Sequence, residues 1–170
     1  MKIAIQPIIC LFLMFFLLPT NNKIDARLLP IVSEFFYLKD GSMIIPTDLS
    51  VIVGHFDNPK TMGVCRVGFF GAEITISEDF MNAGSSLQLQ STVTHELAHC
   101  VLSRGHYPPE SFSDVRDLKT LLLYFKILRG GYVPTLMSDY CPVSIMYPYN
   151  FSDYCFLKHY EEYIRELFGK

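Results

Sequence analysis

Over residues 28–38 apolar side chains recur every three to four positions, at Leu28, Ile31, Val32, Phe35 and Phe36, until Asp40-Gly41 ends the pattern. That spacing predicts a helix with one buried face. The period then changes. Residues 50–56, 63–69 and 72–77 are short β-branched runs separated by Asn58-Pro59 and Gly71, and they read as strands. In the third run Ile74 and Ile76 alternate with Glu73, Thr75 and Ser77, which predicts one buried and one wet face, near a sheet edge. Helical spacing returns at Ser85. Ser85 and Gln88 have the separation of a capping box, and the helix they open is expected to end at Gly105, a residue able to take a left-handed backbone. A further amphipathic helix is expected over residues 114–129, burying Val115, Leu118, Leu121, Leu122, Phe125 and Leu128 and stopping at Gly130-Gly131. CPVSIMYPYN reads as a compact turn, and residues 156–168 read as the last helix. Strands in one block among helices, with no linker between them, predict a single α+β domain.

The N-terminus follows neither period. After Lys2, residues 8–18 form an apolar run of the length of a signal-peptide core, too short to span a bilayer comfortably. Pro19, Thr20 and Asn21 break it, and Ala26 offers a small residue for cleavage. Residues 1–26 are therefore expected to be a signal peptide and residues 27–170 the mature domain, with a retained membrane anchor as the alternative. The expected location is secreted or periplasmic, without stable membrane association after cleavage. Four cysteines remain in the mature chain, Cys65, Cys100, Cys141 and Cys155. They read as disulfides, in any of three connectivities, or as buried thiols.

Composition narrows the classes of function. Half of the 170 residues are hydrophobic and 18% are charged, which excludes a disordered chain. The net charge of −3 argues against a nucleic-acid partner.

The chemistry is concentrated in one predicted helix, where His95-Glu96-Leu97-Ala98-His99 forms an HExxH motif. Residues four apart share a helical face, so both imidazoles reach one cation, and zinc suits such ligands. Glu96, one step round, is placed to act as general base on a zinc-bound water without being a ligand. A third ligand is needed. His106 is the leading candidate, since a chain reversal at Gly105 would return it to the metal, while Glu110 and Asp114 are the acidic alternatives. His55 and His159 read as surface or packed residues.

HELAHCVLSRGH followed by SIMYPY resembles the metzincin metallopeptidases, and the matrixins most of all. The resemblance implies a small twisted mixed sheet packed on a long active-site helix, with a Met-turn and a closing C-terminal helix that IRELFG resembles. It implies zinc ligation by His95, His99 and His106, general acid/base catalysis by Glu96, a Met-turn at Met146, and a substrate pocket walled by Pro148 and Tyr149. It further implies that residues 72–77 are the edge strand that pairs with an extended substrate. The chain departs from the pattern by one added residue between the second and third His, and by the extra helix over residues 114–129. The implied function is a secreted zinc endopeptidase acting on protein or peptide substrates. Two alternatives are a non-catalytic, zinc-stabilised binding or effector module and a zinc peptidase of another clan with an acidic third ligand.

Overall fold

The computed structural model describes residues 23–109, 111, 115–116, 118–131, 135–149 and 152–169. The fold is α+β. Helix α1 (Leu29–Asp40) buries Val32, Phe35 and Phe36, and Gly41 ends it with φ 76°. Strands β1 (Leu49–Gly54), β2 (Gly63–Gly68) and β3 (Gly71–Ser77) follow, then a short helix α2 (Glu78–Ala83) and the long helix α3 (Ser86–Leu102). Ser85 and Gln88 make both bonds of the expected capping box at the start of α3. Three helices close the chain: α4 (Leu118–Leu128), α5 (Asp153–Lys158) and α6 (Tyr160–Phe168). No helix among the described residues is long and apolar enough to cross a membrane.

The sheet order is β1-β3-β2, with β1 parallel and β2 antiparallel to β3. This corrects the placement of residues 72–77, because β3 is the central strand and β2 is an edge. The expected wet face of β3 is covered at Thr75 and Ser77, while Glu73 stays exposed. Thr75 is flanked in register by Ile52 and Val64, and Ser77 turns its hydroxyl to the Phe80 N–H to cap α2. Alternation in sequence marks a polar face that remains wet only at Glu73, since Thr75 is covered between neighbouring strands and Ser77 serves as a cap.

The fold also begins before the expected mature start. Ile24 bridges Val51 of β1, and the Asp25 N–H donates to the Val51 carbonyl at 2.8 Å. Residues 1–22 of the expected signal peptide lie outside the described residues. The core joins Phe35 and Phe36 of α1 to Ile74 and Ile76 of β3, Val93 and Leu97 of α3, and Phe156, Tyr163 and Leu167 of the closing helices.

Two disulfides resolve the cysteines. Cys65–Cys100 ties β2 to α3, and Cys141–Cys155 ties the segment before Met146 to α5. By loop-closure entropy each stabilises the fold by about 3–4 kcal/mol. Such bonds persist in oxidising compartments. The last helix is broken in two at His159, which caps α6 without helical geometry. Helix α4 departs furthest from expectation, since Leu118, Leu122, Phe125 and Leu128 of its supposed buried stripe are exposed. Its expected first residue, Asp114, lies outside the described residues.

At the break, Asp139 contacts both Lys158 and His159 at 2.8 Å, and His159 also contacts Glu162 at 2.9 Å. Hydrogen bonds from Lys158 and His159 hold the Asp139 carboxyl well below its usual value, and the bond to Asp139 raises His159. The raised histidine contributes fully below the ordinary value of about 6.5, and its contribution disappears as pH rises through the folded value. The depressed carboxylate contributes above about pH 3.9 and loses that contribution as pH falls. The cluster is therefore strongest between about pH 4 and 6.5. His159→Gln is expected to lower the melting temperature in that window and to converge on the wild type at higher pH. Parallel melting curves across pH 6 to 9 would contradict this assignment.

Candidate metal centre

Helix α3 presents three faces with different work. Val93 and Leu97, four apart, are buried in the core. Glu96 and Cys100, also four apart, face β2, where Cys100 is bonded to Cys65. His95 and His99 lie on the remaining side. Their Nε2 atoms are 3.0 Å apart, and His99 Nε2 is 3.2 Å from His106 Nε2.

The other ring nitrogens are held by backbone. His95 Nδ1 lies 2.8 Å from the Ile145 carbonyl, and His99 Nδ1 lies 2.6 Å from the Arg104 carbonyl. A carbonyl only accepts, so each Nδ1 is the protonated donor and each Nε2 carries a lone pair. For a metal–nitrogen bond of about 2.0–2.1 Å, tetrahedral ligands sit about 3.3 Å from one another. The observed separations approach that edge. His95, His99 and His106 form a group that could hold a metal ion. Burial, reinforced by the neighbouring His99, pushes the His95 imidazole down to about 3, which keeps it neutral, as a ligand must be.

The reversal that delivers His106 is made by a different residue from the one expected. Ser103, not Gly105, adopts the left-handed backbone, with φ 53°. The N–H groups of Ser103 and Arg104 both reach the Ala98 carbonyl, so α3 stops at Leu102 and the chain turns back. The side chain of Arg104 donates to the Glu166 and Leu167 carbonyls at 3.2 and 2.9 Å, at the end of α6. Gly105 itself is buried.

Glu96 lies between α3 and β2. A Cβ added to Gly63 would come within 2.8 Å of the Glu96 Cγ, so only glycine fits there without displacing the carboxylate. Burial pushes the Glu96 carboxyl up to about 7, against the lowering effect of the Cys65 N–H that donates to it. A cavity of about 220 Å³ opens beside it. Its walls include His95, Glu96, His106, Pro148 and Tyr149. Met146 is buried and does not line it, and its carbonyl accepts from the Tyr107 N–H at 2.9 Å.

Sequence reasoning missed Lys60, Thr61, Met62, Gly63, Ser91, Thr92 and Tyr147, which also line the cavity. Ser91 and Thr92 lie four and three residues before His95, so helical period alone places them on the same side. The acidic alternatives Glu110 and Asp114 lie outside the described residues. His55 is paired with Glu78 on the surface, and His159 belongs to the Asp139 cluster. Asp139, Cys141 and His159 also lie within metal-binding distance, but the Cys141 sulfur is committed to a disulfide.

Loosening the backbone behind a ligand typically costs ten- to a hundredfold in metal affinity. Arg104→Ala, which frees the segment carrying the His99 acceptor from α6, is expected to weaken metal binding by about tenfold or more in chelator competition. Unchanged affinity in that variant would show that the Arg104 anchor is dispensable.

Compared with models of protein families, with curated proteins and with solved structures, the chain matches none.

Proposed function

We propose that the chain is a secreted zinc endopeptidase with a metzincin-like catalytic domain. The observation that carries this reading is the convergence of three imidazoles, with His99 Nε2 3.0 Å from His95 Nε2 and 3.2 Å from His106 Nε2 and the lone pairs of His95 and His99 held on Nε2, beside a buried glutamate that is not part of the triad. A structural zinc site has no need of such a glutamate at the mouth of a cavity. Imidazole ligands favour zinc over hard cations, which take oxygen.

His95, His99 and His106 would hold the zinc ion, which would supply Lewis acidity at the site. Glu96 then accepts the proton of the attacking water and returns it to the leaving nitrogen. The Ile145 and Arg104 carbonyls fix both ring orientations throughout. The substrate lies in extended form along the edge strand β2, whose first residue, Gly63, lines the cavity together with Thr61 and Met62 just ahead of it. The side chain following the scissile bond enters the cavity beside Pro148 and Tyr149.

Metal analysis of the purified protein is expected to find about one zinc per chain, released in acid because protonated imidazole cannot ligate. His95→Ala or His99→Ala is expected to abolish zinc binding, and full stoichiometry in both would eliminate the site. Glu96→Ala is expected to retain zinc and to lose about two to four orders of magnitude in peptide hydrolysis. Stoichiometric zinc with no cleavage of a broad peptide library by the wild type would replace the enzyme with a zinc-stabilised binding module.

A further inference from the structure

Helix α4 presents a face that nothing among the described residues covers. Leu118, Leu122, Phe125 and Leu128 are 70%, 62%, 47% and 62% exposed. They recur at four, three and three residues, so they form one stripe along the helix. The opposite side carries Thr120, Leu123 and Ile127, of which Thr120 is buried and the others half-buried. Binary pattern alone would have turned the leucine stripe inward. The helix is instead seated on its second apolar side, and the first is left to solvent.

Charge says what the stripe fits. From Leu118 to Gly131 the sequence contains Lys119, Lys126 and Arg129 and no acidic residue, within a chain of net charge −3. All three basic residues are exposed, as is Arg116 just ahead of the helix; Asp114 and Asp117 also stand in that leading stretch, so residues 114–131 hold four basic residues against two acidic ones, and the Lys119 ammonium stands 5.9 Å over the Tyr107 ring. At 100° per residue, Lys119 and Lys126 lie along one flank of the stripe, with Arg116 and Arg129 beyond its two ends. Long basic side chains beside an apolar stripe can extend to anionic headgroups while the leucines enter the acyl boundary. A second protein would need acidic groups around an apolar groove. An anionic bilayer offers both features without a shaped partner.

We propose that α4 is an interfacial helix that docks the domain on membranes containing anionic phospholipid. This modifies the expectation of no membrane association, and it stands whether or not the histidine site is catalytic. The contact is peripheral: eleven residues of helix lying in the interface plane, not crossing it.

The test is sedimentation of the purified chain with vesicles of phosphatidylcholine alone or with phosphatidylserine added. Binding is expected to the mixed vesicles, to weaken with salt, and to be small on phosphatidylcholine. Each basic residue near a charged surface contributes roughly fivefold, so Lys119→Glu with Lys126→Glu is expected to weaken binding by tenfold or more. Leu122→Glu with Phe125→Glu is expected to abolish it. Thermal melting of each variant, matched to the wild type, confirms that folding is intact. Three outcomes would overturn the proposal. One is no binding to either vesicle. Another is binding that survives the Leu122/Phe125 variant, which would assign it to the N-terminal apolar run. The third is a dimer in sedimentation velocity that the same variant dissociates, which would make the stripe a contact between copies.

Discussion

Imidazole nitrogens that carry lone pairs repel one another at 3 Å, yet the fold brings the Nε2 atoms of His95 and His99 to that distance, with His106 beside them. The tautomers are not free to relieve that repulsion, because the Ile145 and Arg104 carbonyls can only accept and so fix the proton on Nδ1 of His95 and His99. A cation is the group that turns this arrangement from unfavourable to favourable. Much of the remaining structure can be understood as holding those two carbonyls, and the reversal that brings in His106, in place.

Helix α6 is the common brace. It receives the Arg104 guanidinium on its last carbonyls, and Glu166 accepts from the Ser144 hydroxyl at 3.0 Å. Ser144 in turn accepts from the Met146 N–H, so the turn carrying the Ile145 carbonyl is tied to the same helix. Tyr163 donates to the Pro142 carbonyl, and Cys141–Cys155 anchors the start of that turn. On the other side of α3, Cys65–Cys100 fixes the distance between β2 and the helix, and thereby the space that Glu96 occupies. One carboxylate, Glu34, accepts from both Gln90 of α3 and Tyr160 of α6, and it joins the histidine-bearing helix to its brace through α1. The rigidity of the site thus comes from elements far from it in sequence.

What was legible in the sequence was local. The capping box at Ser85, the stop at Gly41 and the i,i+4 histidines follow from rules that act within one or two helical turns. What was not legible depended on partners across the fold. Nothing in residues 72–77 reveals that residues 63–68 will pair on one side and 49–54 on the other, so alternation was read as an edge. The cavity walls at Lys60 to Gly63 belong to the site only through strand pairing. In α4 both faces are apolar enough to be buried, and periodicity does not say which one the rest of the protein will choose. Ser91 and Thr92 were within reach, because the face that carries His95 includes them.

The turn after α3 shows how local preference yields to the needs of the site. Leu102 remains helical, and the left-handed conformation falls on Ser103, where a side chain costs about 1 kcal/mol relative to glycine. Moving the turn to Gly105 would avoid that cost. It would also extend α3 through Arg104, turning its carbonyl along the helix axis and away from His99 Nδ1, and withdrawing its guanidinium from α6. A straight continuation would carry His106 about 10.5 Å along the axis from His99. The turn at Ser103 keeps both Arg104 contacts and returns His106 to 3.2 Å from His99. A lost bond to His99 and two lost charge-assisted bonds outweigh one strained residue. The helix therefore ends where the histidines require it.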